Sequence, residues 1–302
     1  MSSPPEPHGR LAGVAAAIFA VSIWAGWIPV TRLGVITRLT PGDVAALRYG
    51  TSGLLLLPVL LARWRDVPWH RAGVLAAMLV GAGVPYFFVF ATGLRMANSG
   101  QGGVLGPGAS GVFTAVIAAL LLGERPGRAQ RVGVSITAAG VALVVLHELY
   151  GGGARASGFL LILCASLAWA GFSTASRTLR LRPEVTTAVI SVVNAALYLP
   201  LYVATGGLQR LAVVPAHDIA LQVVYQGVLT GVVALIAYTF AIGRLGAAGA
   251  ASFTPLSPVL VALSGWLILG DTVDAATATG LVAVALGVLV ANRGYAWFRA
   301  LR

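Results

Sequence analysis

Ten stretches of about 20 mostly apolar residues fix the solvent in which this chain can fold. They lie at 11–31, 43–62, 72–94, 101–122, 132–147, 157–176, 185–206, 219–242, 248–270 and 275–296 of a 302-residue sequence. A run of that length crosses the hydrocarbon core as an α-helix, which satisfies every backbone N–H and C=O within one segment. The composition points the same way. Apolar residues make up 58% of the chain, charged residues 10%, and the mean hydropathy is +0.89, whereas soluble domains carry roughly 25% charged residues. The fold class expected is therefore an all-α polytopic membrane protein. The connections between runs are short and leave no space for a soluble catalytic or regulatory domain, so function has to reside inside the bundle. The first run is too long for a signal-peptide core and recurs later in the chain, so it reads as a retained span.

That recurrence organises the whole sequence. VSIWAGWIPVTR (21–32) is echoed by SLAWAGFSTASR (166–177), with Trp24, Ala25, Gly26 and Arg32 falling on Trp169, Ala170, Gly171 and Arg177 at an offset of 145. LLLGE (120–124) and LILGD (267–271) match at 147, as do Gly133 and Gly140 with Gly280 and Gly287. FATG (90–93) and FAIG (240–243) match at 150. Four matched segments in the same order imply two five-helix halves, and an odd number of spans starts the second half on the opposite side of the membrane. Inverted repeats of this kind underlie many alternating-access transporters. The expected organisation is a cytoplasmic tail at 1–10, a first repeat at 11–147, an external linker at 148–156, a second repeat at 157–296 and a cytoplasmic tail at 297–302.

All 20 basic residues are arginine and the formal net charge is +11. With the N-terminus inside, fourteen arginines fall on cytoplasmic segments and five (Arg32, Arg38, Arg95, Arg155 and Arg210) on the opposite face, with Arg48 inside the second run. The positive-inside rule then places both termini in the cytoplasm of a multi-pass protein of the inner (plasma) membrane. The charge reads as topology and as affinity for the headgroups of the lipid bilayer, with no nucleic-acid partner implied. A single cysteine, Cys164, excludes an internal disulfide and a multi-cysteine metal site.

The WAG phrases in the first and sixth runs, the LGE and LGD endings of the fourth and ninth, and the ten-span plan resemble the drug/metabolite transporter superfamily. More narrowly, residues 10–297 are similar to its EamA-type ten-helix exporters, among them exporters of aromatic amino acids. The resemblance implies that fold and a role in moving small-molecule solutes, and it does not fix one substrate.

Interrupted helices in corresponding places of two repeats point to a binding site. The hinge or packing candidates are Pro85, Gly106, Pro107, Pro255 and Pro258. Polar and aromatic groups that lipid would not favour gather around them and form the expected substrate-binding set: Trp24, Tyr86, Asn98, Gln101, Trp169, Tyr238, Ser252, Thr254 and Ser257. Aromatic walls with neutral polar groups suit a zwitterionic or mostly apolar solute, in keeping with amino acid export as the resemblance implies. For each single aromatic residue, helix packing is the competing role.

The ionisable inventory restricts mechanism. None of the nine acidic residues lies near the middle of a run, and His8, His70, His147 and His217 sit in tails or at run ends. A midmembrane carboxylate or histidine relay is the usual hardware of proton coupling, so facilitated diffusion down the solute gradient, or coupling through a less obvious site, is expected in place of a carboxylate-driven antiport. Arg48 lies five residues into its run, where snorkelling to the outer interface would avoid the roughly 2.5–3.5 kcal/mol cost of a central arginine. Glu124, next to Arg125, is expected to pin a loop. No cofactor, metal or catalytic set is indicated: Ser110 in GPGASG has no histidine at its depth to activate it. Three alternatives stay open on the residues alone. They are export of another metabolite or a drug, a non-transporting membrane sensor, and an intramembrane enzyme.

Overall fold

The computed structural model describes residues 7–153 and 155–300; parts of the expected tails, 1–6 and 301–302, and residue 154 of the linker lie outside the described residues. Ten helices are long and apolar enough to cross a membrane: α1 Leu11–Thr37, α2 Pro41–Ala62, α3 Ala72–Leu94, α4 Ser99–Leu121, α5 Arg128–Tyr150, α6 Ala156–Leu179, α7 Pro183–Ala204, α8 Ala216–Gly246, α9 Gly249–Leu269 and α10 Ala275–Asn292. All ten expected spans are present. The largest boundary difference is at the end of α1, expected at 31 and found at Thr37, and α5, expected over 132–147, gains a polar first turn at Arg128–Arg131 and a last turn ending at Tyr150.

The packing repeats with the sequence. α1 packs on α8 and α9, and its counterpart α6 packs on α3 and α4; α2 pairs with α7, and α5 with α10. Exchanging the two halves leaves this pattern unchanged, which is the signature of a pseudo-two-fold axis. The fold is two inverted five-helix repeats. On that axis the glycines matched in the sequence meet crosswise. A Cβ on Gly140 would stand 3.1 Å from Gly280 O, one on Gly280 would stand 3.2 Å from Gly140 O, and Gly133 and Gly287 face each other in the same way. Small residues at four- and seven-residue spacing let the α5 and α10 backbones approach closely.

The breaks in α3 and α4 occur where proline and glycine foretold them, and each has a named partner, while α8 widens over Val223–Val233 without a proline. α3 is two pieces, Ala72–Ala82 and Val84–Leu94, hinged at Gly83. Asn194 of α7 bridges the hinge: its Oδ1 accepts from Val84 N at 2.8 Å and its Nδ2 donates to Leu79 O at 3.4 Å and to Ile190 O at 2.9 Å. In α4 the turn Val104–Gly108 widens around Pro107. Ser166 of α6 shares its hydroxyl proton among Leu105 O (2.7 Å), Ile162 O (2.8 Å) and Gly106 O (3.2 Å). Backbone groups freed inside a membrane must find such partners, because lipid offers none.

At the end of the bundle where α2 begins, Thr40 and Asp43 form a reciprocal cap. Asp43 is buried yet fully engaged, accepting from Thr40 N at 2.8 Å, Tyr202 Oη at 2.7 Å and Arg210 Nε at 3.4 Å. These bonds tie α2 to α7 and to the short helix Gly207–Ala212.

Candidate functional site

The helices surround a cavity of about 740 Å³. Its deep wall is aromatic: Trp24 and Trp27 from α1, Tyr86 from α3 and Trp169 from α6. The aromatic contacts obey the repeat. Trp24 of α1 meets Tyr238 of α8 with ring centroids 5.0 Å apart, and Trp169 of α6 meets Tyr86 of α3 at 5.2 Å. Trp27 stacks on Phe90 at 5.0 Å, which continues the wall toward α3. Tilted and edge contacts at these separations hold the rings in fixed orientations.

The expected residues divide by place. Trp24, Tyr86, Trp169, Thr254, Ser257, Gly106, Pro107 and Pro258 line the cavity. Tyr238 stands behind Trp24 and supports its indole. Asn98 and Gln101 are drawn away to the start of α4, where Gln101 N donates to Asn98 Oδ1 at 2.8 Å and Asn98 N donates to Gln101 Oε1 at 3.0 Å. The first N–H groups of a helix have no intrahelical partners, and these two side chains cap them reciprocally. Ser252 is exposed and donates to Gly249 O at 2.7 Å, while Thr254 donates to Ala251 O at 2.8 Å. Pro255 sits in the tight turn Thr254–Leu256 that precedes the main part of α9. Pro85 opens the second piece of α3, exposed on its outer side. Ser110 donates back to Pro107 O at 3.0 Å.

One arginine contradicts the sequence expectation. Arg48 does not snorkel outward; it lines the cavity. Its guanidinium carbon stands 5.4, 5.7 and 5.5 Å from the ring centroids of Trp27, Tyr49 and Phe87. Aromatic faces attract a cation at that range, and this half-buried cage replaces the aqueous interface as its surroundings. A directed chain of hydrogen bonds holds it there. Arg48 Nη1 donates to Gln226 Oε1 at 2.9 Å, Gln226 Nε2 to Thr31 Oγ1 at 2.8 Å, and Thr31 Oγ1 to Trp27 O at 2.7 Å. Gln226 was not singled out from the sequence. The available signal was two glutamines four residues apart, Gln222 and Gln226, in an apolar run.

The two ends of the cavity carry ion pairs that the repeat relates to one another. Arg32 and Arg177 are matched residues, and so are Asp271 and Glu124. At one end Arg32 of α1 meets Asp271, just past α9, at 2.7 Å, with side-chain exposures of only 17% and 9%. At the other, Arg177 of α6 meets Glu124, just past α4, at 3.3 Å, with exposures of 51% and 46%. Glu124 thus pairs across to α6 and not with its neighbour Arg125. The cavity includes Glu124, Arg177 and Gln130 in its lining and stops short of Arg32 and Asp271. It therefore reaches the α4–α5 end of the bundle and is sealed at the α9–α10 end.

Comparison with known proteins bears on this arrangement directly. The model of the EamA-like transporter family matches residues 11–146 and again 156–293. The chain is 29% identical over 263 residues to the uncharacterized transporter YcxC of Bacillus subtilis (strain 168), covering 83% of this chain and 84% of that protein. It is 27% identical over 283 residues to the uncharacterized inner membrane transporter YedA of Escherichia coli (strain K12), covering 91% and 87%. A solved crystal structure superimposes with a TM-score of 0.57 at 22% identity over 94% of this chain and 95% of the other, a likeness of fold.

Proposed function

Because this chain belongs to the EamA-like transporter family, we propose that it exports small amphipathic metabolites, amino acids with aromatic or apolar side chains among them, from the cytoplasm across the inner membrane. Transport runs by alternating access through the central cavity. The observation that carries this reading is the asymmetry of the two repeat-related ion pairs: tight and shielded at the α9–α10 end, longer and solvated at the α4–α5 end. With the arginine bias setting the topology, the open end is cytoplasmic and the sealed end external. Exchanging the conformations of the two repeats opens the outer pair and closes the inner one. Solute enters from the cytoplasm between α4, α5 and α6, meets the aromatic wall, and leaves when Arg32 and Asp271 part.

The solute gradient drives the cycle in this reading, which draws on the ionisable inventory of the sequence. The inner-membrane placement follows the name borne by the E. coli relative together with ten apolar spans. Purified protein in proteoliposomes, loaded with a panel of labelled amino acids and other metabolites, tests the function. Counterflow of at least one solute above protein-free vesicles is expected, and no flux of any class would overturn it.

A further inference from the structure

We infer that Arg48 is a carboxylate-binding residue, so that the cavity takes solutes with one carboxylate attached to an aromatic or apolar body, whether or not they also carry an amine. This rests on the reading of the cavity as the solute site. The first support is charge. Arg48 lines the cavity at the level of the aromatic wall, and among the described residues no carboxylate lies within ion-pair reach of it. The other charged lining residues, Glu124 and Arg177, neutralise each other at the mouth. The deep chamber thus carries one uncompensated positive charge, and a cation inside a membrane protein calls for a counter-charge from a pathway partner or ligand.

Donor supply is the second support. A guanidinium has five N–H groups and no acceptor, and the bond to Gln226 Oε1 at 2.9 Å occupies one of them. Trp27, whose ring centroid lies 5.4 Å from the guanidinium carbon, also lines the cavity and takes none of the guanidinium N–H groups. A planar monoanion accepts from the remaining guanidinium N–H groups, two parallel bonds being the favoured geometry for a carboxylate. Gln226 cannot turn its amide to compete, because Nε2 is held by Thr31 Oγ1 at 2.8 Å. The aromatic wall formed by Trp24, Tyr86 and Trp169 then receives the apolar body. One positive charge matches a monoanion, and a phosphate monoester dianion would leave a negative charge in the cavity.

Isothermal titration of the purified protein with four probes tests this: phenylalanine, 3-phenylpropionate, phenethylamine and phenyl phosphate. The two carboxylates should bind, and phenethylamine and phenyl phosphate should each bind at least about tenfold more weakly. Arg48→Gln should weaken carboxylate binding by about tenfold to a hundredfold, the range for losing a charge-assisted hydrogen-bonding partner. Arg48→Lys, which keeps the charge without the fork, should fall between. The wild-type probe order needs no variant, so it decides the matter even if Arg48→Gln misfolds. Phenethylamine binding as well as the carboxylates, phenyl phosphate binding as tightly, neither carboxylate binding, or monodisperse Arg48→Gln binding unchanged would overturn the inference. Flux separates the two readings: transport of amines insensitive to Arg48→Gln removes the carboxylate site and leaves the transporter, whereas Arg48-dependent binding without flux of any solute does the reverse.

Discussion

Asp271→Asn is the sharpest test of the conformational argument. The Asp271 carboxylate holds two elements at once: Oδ1 meets Arg32 Nη1 at 2.7 Å and Oδ2 accepts from Ser99 N, the first residue of α4, at 2.8 Å. Arg32 Nε donates in turn to Ala97 O at 2.7 Å. The carboxylate also faces the positive N-terminal end of α4, which favours the anion. Neutralising one partner of a shielded pair costs about 3 kcal/mol. That cost falls on the outside-closed state alone, because the pair must part for the outer end to open. At about 1.4 kcal/mol per decade, the equilibrium then shifts toward the outward-open form by roughly a hundredfold. In a Cys164→Ser background, a single cysteine in place of Thr230 reports the shift through labelling by a membrane-impermeant maleimide added outside. Labelling should accelerate strongly in Asp271→Asn. Exchanging the charges (Arg32→Asp with Asp271→Arg) should not restore closure, because Ser99 N would face a donor and Ala97 O an acceptor. Unchanged external labelling together with a lowered melting temperature would make the pair a structural brace and refute the gating argument.

Trp24→Ala and Trp169→Ala should each lower flux while expression and monodispersity hold; if both were packing residues, a loss of about 3–5 kcal/mol would remove protein and flux together. A Cβ branch on the α5–α10 seam, as in Gly287→Val, should destabilise the protein by about 1–3 kcal/mol through overpacking, read as a lower melting temperature in detergent, and a neutral result would place the seam elsewhere. A reporter fused after Arg302 should score cytoplasmic and one in the Gly151–Gly153 loop external; both on one side would end the inverted-repeat topology. Flux down a solute gradient should persist when the pH gradient is collapsed, and strict dependence on a proton gradient would reveal a titrating site within the pathway.

The spans, the repeat and the breaks were legible because each rests on a local property of the chain. Twenty apolar residues satisfy their own backbone, proline removes a donor wherever it stands, and a duplicated phrase stays in register along the sequence. Asn98, Gln101 and Ser252 were misplaced for a related reason. A polar side chain at membrane depth signals a need for hydrogen bonding, but sequence does not say whether solute or backbone supplies the partner. At the start of α4 and in the first turns of α9 the backbone takes it, because helix ends leave N–H and C=O groups without intrahelical partners. Similarly, Gly26 makes way for the Tyr225 side chain while its repeat partner Gly171 faces open space, so a conserved phrase within one chain does not guarantee a conserved contact.

Arg48 and the two end pairs were hidden by another cause, since their meaning depends on which helices become neighbours. By position alone Arg48 is near enough to an interface to snorkel, and only the approach of α1 and α8 supplies Trp27 and Gln226 to hold it inward. The pairs join residues 239 and 53 positions apart, yet their four members occupy two matched places in the repeat. A duplicated arginine at the end of α1 and α6, with a duplicated acid at the end of α9 and α4, is therefore one contact written twice. Inversion puts one copy toward each end of the bundle, with the cavity reaching the Arg177–Glu124 copy and stopping short of the Arg32–Asp271 copy. In the alternating-access cycle proposed above, the two halves, equivalent in sequence, take different conformations whenever one end is open. The difference between a 2.7 Å shielded pair and a 3.3 Å solvated one is the asymmetry on which that proposal rests.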